Sequence, residues 1–205
     1  MMEQLLVSFA ALLAVWQFLA FATAPSSLRK SVVKTGSVAA LALAAPLLGA
    51  PWTVALGLAL GAVGDWFLSR DGERAFLLGM AAFAAGHASY VAAFIAMGAG
   101  VPGWPVIVAL VLLGASTELW LAPRTGALRW PVRGYVLVIL AMSLAALGME
   151  GRGMLRAGAV LFVASDLVLA VQIFVLADGP LRRACQRLLW VLYWCGQALI
   201  LWGAV

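Results

Sequence analysis

The chain has 205 residues, 65% of them hydrophobic, with 13 Lys or Arg against 8 Asp or Glu. A water-soluble globule carries about a quarter charged residues, so this composition excludes one and leaves no room for a soluble domain. The net charge of +5 does not point to nucleic acid, because the basic residues sit in short breaks between apolar runs, where they read as topology signals and contacts to lipid phosphate.

Eight apolar spans follow in chain order, at 5–24, 32–49, 52–70, 75–98, 103–122, 132–149, 155–177 and 186–204. The breaks between them hold turn formers or charge: Pro25 to Ser27, Gly49 to Pro51, Arg70 to Arg74, Pro102 with Gly103, Pro123 to Pro131, Gly151 to Gly153 and Asp178 to Arg183. The first span ends in Ala22-Thr23-Ala24, similar to a signal-peptidase site. It is nevertheless read as a retained helix, since Met1 to Gln4 carries Glu3 and no basic residue. The expected fold is an all-α integral membrane protein, a bundle of eight transmembrane helices forming a single domain over 1–205. In a bacterium its place would be the plasma or inner membrane.

The breaks after the first, third, fifth and seventh spans hold 11 of the 13 Lys and Arg residues. The positive-inside rule therefore places both termini on the non-cytoplasmic side. Two segments also resemble each other. Gly64-Asp65-Trp66-Phe67-Leu68 and Ser165-Asp166-Leu167-Val168-Leu169 share a small residue, an Asp and a Leu, and Lys30 with Lys34 recurs as Arg129 with Arg133. The two Asp-bearing spans lie four apart, so they run in one direction, as in two parallel four-helix repeats.

Carboxylates inside a bilayer cost roughly 2.5–3.5 kcal/mol each on insertion scales, which makes Asp65 and Asp166 functional candidates. Glu118 is one turn from the end of its span and can instead reach Arg124 at the interface; Asp65 could similarly pair with Arg70 or Arg74. His87 and Tyr90 share one helical face, as do Tyr193 and Gln197, and either pair could equally serve helix packing. Gly57, Gly61 and Gly64 form a small-residue stripe on the Asp65 helix, read as a packing surface.

The chain holds one His and two Cys, which excludes histidine or cysteine zinc sites and a disulfide framework. A magnesium ion held by carboxylates alone stays open; no metal or cofactor is expected. No Gly-x-Ser-x-Gly stretch occurs, and neither Ser89 nor Ser165 has an evident base beside it. Two carboxyls inside lipid are better suited to general acid and base work, one donating a proton while the other stays ionised.

The blocks Gly64-Asp65-Trp66-Phe67-Leu68, Phe76-Leu77-Leu78-Gly79-Met80-Ala81-Ala82-Phe83, Gly86-His87-Ala88-Ser89-Tyr90, Ala164-Ser165-Asp166-Leu167-Val168-Leu169 and Tyr193-Trp194-Cys195-Gly196-Gln197 together resemble the YhhN family. Its animal members are transmembrane lysoplasmalogenases. One departure is the basic motif after the first span, Lys-Pro in the family, where Lys34 is followed by Thr35. The resemblance implies hydrolysis of the vinyl ether of a lysoplasmalogen to a fatty aldehyde and a glycerophospho-base. Asp65 and Asp166 would then be the catalytic pair, with Lys34, His87, Tyr90, Arg133, Tyr193 and Gln197 around the lysophospholipid. A transporter for a lipid or small metabolite, and a hydrolase of a related lysolipid, are the alternatives.

Overall fold

The computed structural model describes residues 1–205 and contains eight α-helices and no strand. They are α1 (Met2–Trp16), α2 (Leu28–Leu47), α3 (Trp52–Leu68), α4 (Glu73–Ala96), α5 (Trp104–Trp120), α6 (Arg129–Leu147), α7 (Gly153–Phe174) and α8 (Pro180–Ala204). A π-helical turn, Gln17–Phe21, prolongs α1. By length and composition, five helical segments suit a membrane crossing: Met2–Phe21, Glu73–Ala96, Trp104–Arg124, Gly126–Leu147 and Gly153–Phe174. α3 is apolar but shorter.

Local sequence explains the main boundary differences. The eighth helix starts six residues ahead of the expected 186, because Pro180 at its first position needs no amide partner and has its φ already set for a helix. Arg182 and Arg183 thereby join the first turn of α8. Between α5 and α6 the break expected at Pro123 to Pro131 is a pair of short 3-10 turns, Ala122–Arg124 and Gly126–Leu128. Pro131 sits in the first turn of α6, where its missing N–H costs nothing. Gly49 and Gly98, with φ of 85° and 91°, close α2 and α4 in the left-handed conformation that glycine adopts without penalty.

Sequential helices pack as neighbours, with α1 on α2, α2 on α3, α3 on α4 and α7 on α8, while α4 joins the halves through α6. The closest pairs meet through glycine. A Cβ added to Gly196 would lie 3.0 Å from the Gly158 carbonyl oxygen, and one on Gly203 only 2.6 Å from the Leu155 Cα, so α7 and α8 touch backbone to backbone. The stripe on α3 is filled by α4 and α8: a Cβ on Gly64 would lie 2.6 Å from the Phe83 ring, one on Gly61 would lie 2.7 Å from Gln197 Nε2, and one on Gly57 would collide with Tyr90.

Polarity is distributed as lipid solvent demands. Leu5, Phe9, Leu12, Trp16 and Leu19 of the first helical segment and Val111, Leu112 and Leu119 of α5 face outward, whereas Gln17, Asp65, His87, Ser143, Ser165 and Gln197 are buried. In water those outward faces would be costly; against acyl chains they are not, and the polar groups are kept from the lipid inside the bundle.

Candidate functional site

Asp65 is fully buried in the last turn of α3. Its Oδ1 lies 2.8 Å from Lys34 Nζ of α2, and its Oδ2 accepts a 2.8 Å hydrogen bond from the Tyr193 hydroxyl of α8. Behind Tyr193 stands Gln197, one turn on, whose Nε2 donates to the tyrosine oxygen at 3.4 Å and whose Oε1 accepts from Tyr90 of α4. Four helices thus converge on one carboxylate. The interfacial pairing with Arg70 or Arg74 is not what forms: Arg70 instead stacks over Trp66, 4.2 Å from the ring centroid.

Asp166 lies in mid α7 and has a separate set of partners. Its Oδ2 accepts from the Tyr135 hydroxyl of α6 at 2.9 Å and lies 3.4 Å from His87 Nε2 of α4. The same His87 nitrogen is 3.1 Å from the Tyr135 oxygen, so imidazole, phenol and carboxylate form a closed triangle. His87 and Tyr90, expected on one face, are therefore divided between the two aspartates. Tyr135 escaped the sequence reading, yet a signal for it exists. It precedes Asp166 by 31 residues, the spacing that separates Lys34 from Asp65. Aligning the two segments through Arg133 instead placed the correspondence two residues too early.

The arrangement crosses between halves. Each aspartate is reached by the helix preceding it, α2 for Asp65 and α6 for Asp166, and by the helix following the other aspartate, α8 and α4 respectively. Phe83 and Phe162 bridge the two sets: Phe162 lies 5.3 Å from the Tyr193 ring and 4.6 Å from that of His87, and Phe83 lies 5.6 Å from Tyr193.

Arg133 is not part of this assembly. It makes a two-pronged pair with Glu118 on the exposed α5–α6 surface and lies over Trp130, with its centre 4.8 Å from that ring. Glu118 thus satisfies Arg133 rather than the expected Arg124, because α5 and α6 are antiparallel neighbours that bring residues 15 apart into register. Lys34, expected near a substrate phosphate, has its charge already opposed by Asp65.

Two cavities flank the aspartates. A polar one of about 390 Å³ opens among the α1–α2, α3–α4 and α7–α8 connections, lined by Lys30, Lys34, Asp65, Asp166, Gln172 and Tyr193 among others. An almost entirely apolar slot of about 90 Å³ runs between α4, α5, α6 and α7, lined by Phe76, Met80, Leu113, Ile139 and Phe174 with Tyr135 and Asp166. Asp166, Phe83, Leu68 and Leu169 belong to both. No group of three or more His, Cys, Asp or Glu residues is placed to hold a metal ion.

The YhhN family model matches residues 29–204, nearly the whole chain. The chain belongs to the YhhN family. Neither the curated proteins nor the solved structures include a match to it. The matched region runs from the second residue of α2 to the end of α8 and contains every residue of both aspartate networks.

Proposed function

We propose that this YhhN protein is an integral membrane hydrolase that cleaves the vinyl ether of a lysoplasmalogen. One observation carries the reading. Asp166 stands in the wall shared by a polar cavity and an apolar slot, with Asp65 on the same polar cavity. A single-chain lipid presents that division, a charged head joined to a hydrocarbon chain, and its reactive linkage lies at the junction.

The chemistry fits the two networks as follows. Protonation of the vinyl carbon β to oxygen converts the ether into an oxocarbenium ion. Water then bonds to the carbon attached to oxygen, losing a proton, and the hemiacetal collapses to aldehyde and glycerol hydroxyl. Such a sequence needs one proton donor and one carboxylate that steadies the cation and takes the proton from water. Asp166 is assigned as donor, since it stands where the polar cavity meets the apolar slot and has the sole imidazole 3.4 Å away. Asp65, opposed by Lys34, is assigned as the carboxylate. Tyr193, with Gln197 and Tyr90 behind it, orients that carboxylate and keeps its second oxygen satisfied inside the bundle.

In this reading all eight helices cross the bilayer as two parallel four-helix repeats, with both termini on the non-cytoplasmic side. The crossed pattern of partners around the aspartates supports the repeat. A reporter fused after Val205 is expected outside the cytoplasm; a cytoplasmic signal would reverse the orientation.

The deciding assay is aldehyde release from purified protein given lyso-alkenyl, lyso-acyl and diacyl phospholipids side by side. Aldehyde from the lyso-alkenyl lipid alone is the expected result. Fatty acid from the lyso-acyl lipid would indicate a related ester hydrolase. Substrate flux across proteoliposomes without any product would indicate a carrier. The unbroken α3 and α7 speak against the carrier, because transporter sites of this kind are commonly built from interrupted helices.

A further inference from the structure

The polar cavity is lined by four cations, Lys30, Lys34, Arg70 and Arg182, and by Asp65, Asp71 and Asp166, with Asp71 accepting from the Ser26 hydroxyl. Lys34 faces Asp65 and Arg182 faces Asp178 at 2.7 Å, while Arg70 lies over Trp66. Lys30 has no carboxylate partner: its half-buried ammonium donates to the Ala24 carbonyl at 2.5 Å and keeps two further N–H groups free. Around the same cavity stand four more unmet polar atoms, Gln17 Oε1, Gln172 Oε1, Gln186 Oε1 and Arg182 Nε. Gln17 is only 2% exposed. Buried amides without partners are expensive, and an ammonium in a partly dehydrated site without a counter-ion is more so. Lys30 and Arg182 Nε are unmet donors as they stand, and the amides of Gln17, Gln172 and Gln186 become donors to an anion on turning their NH2 ends toward it.

We propose that this opening is a phosphate site, with Lys30 supplying the charge and Gln17, Gln172, Gln186 and Arg182 supplying hydrogen bonds to the phosphodiester of a lysophospholipid. The site extends the lysolipid reading above and rests on it for the identity of the ligand. It also replaces Arg133 and Lys34, whose charges are opposed by Glu118 and Asp65, as the group that meets the phosphate. An amide can turn either end toward its ligand, so the three glutamines can donate N–H to phosphate oxygens.

The test is ligand-induced thermal stabilisation of the full chain in detergent, which needs no turnover. Three probes are compared: a lysophospholipid with a saturated ether in place of the vinyl ether, the alkylglycerol that lacks its phosphate, and inorganic phosphate. Lys30→Gln should weaken the lysophospholipid about tenfold and leave the alkylglycerol unchanged, while Lys30→Arg restores binding. Gln172→Leu, which leaves the charge and the Ala24 contact intact, should weaken the same ligand by a smaller factor. Stabilisation by inorganic phosphate that disappears in Lys30→Gln would locate the anion site while assigning it to free phosphate. Equal lysophospholipid affinity in wild type and Lys30→Gln, or an equal loss for the alkylglycerol, would overturn the proposal. If wild type releases no aldehyde but the Lys30-dependent affinity persists, the hydrolase reading fails and the phosphate site stands.

Discussion

The two aspartate networks are each reached by the preceding helix and by one from the other half of the chain, yet their side chains differ. Around Asp65 the partners are a lysine, a tyrosine and a glutamine–tyrosine chain. Around Asp166 they are a tyrosine and the sole histidine, and the carboxylate retains access to two cavities. One aspartate thus faces a cation and the other faces the sole imidazole. Such a division is what separates the two carboxyls of a glycosidase, and it follows from neighbours rather than from the aspartates themselves.

Breaking each network separately should show the difference. Asp166→Asn should reduce aldehyde release by about 10³-fold or more with little change in thermal unfolding, because the amide can still accept from Tyr135 but cannot donate the proton. Asp65→Asn should abolish release as well and also destabilise the fold by about 3–5 kcal/mol, since Lys34 is left as an uncompensated charge in a largely buried place. Equal unfolding temperatures for the two variants would erase the distinction. The double change Lys34→Met with Asp65→Leu sharpens it, with stability expected to recover and activity to stay absent.

Smaller effects belong to the supporting groups. Tyr135→Phe keeps the ring but removes the hydroxyl from the His87–Asp166 triangle, and a fall in kcat of about 10²-fold with KM nearly constant is expected from steady-state kinetics. Gly61→Ala pushes a methyl into Gln197 and should cost about 1–3 kcal/mol in denaturant or thermal unfolding, acting on activity only through Tyr193. Arg133→Ala should change neither activity nor unfolding temperature measurably, because its pair with Glu118 is exposed and its charge is opposed by Glu118 rather than by an aspartate. A large loss of activity in that variant would return Arg133 to the site.

Much of this protein could be read along the chain. Apolar run lengths and the Pro, Gly and charged breaks determined an all-helical membrane protein with eight helices, and the cost of a carboxylate in lipid singled out Asp65 and Asp166 before any fold was known. The Gly-Asp, His-x2-Tyr and Ser-Asp blocks carried the family. These features are local, and local chemistry is legible in one dimension. Only the tertiary structure decided that Lys34 is bound to Asp65, that His87 and Tyr90 serve different aspartates, that Tyr135 completes the second network, and that Arg133 stands aside with Glu118. Each of those outcomes depends on how one helix is rotated against a neighbour distant in sequence. That rotation is set by which glycine lies beneath which ring, as at Gly57 under Tyr90 and Gly64 under Phe83, where steric fit between two helices chooses the partner and hydropathy is silent.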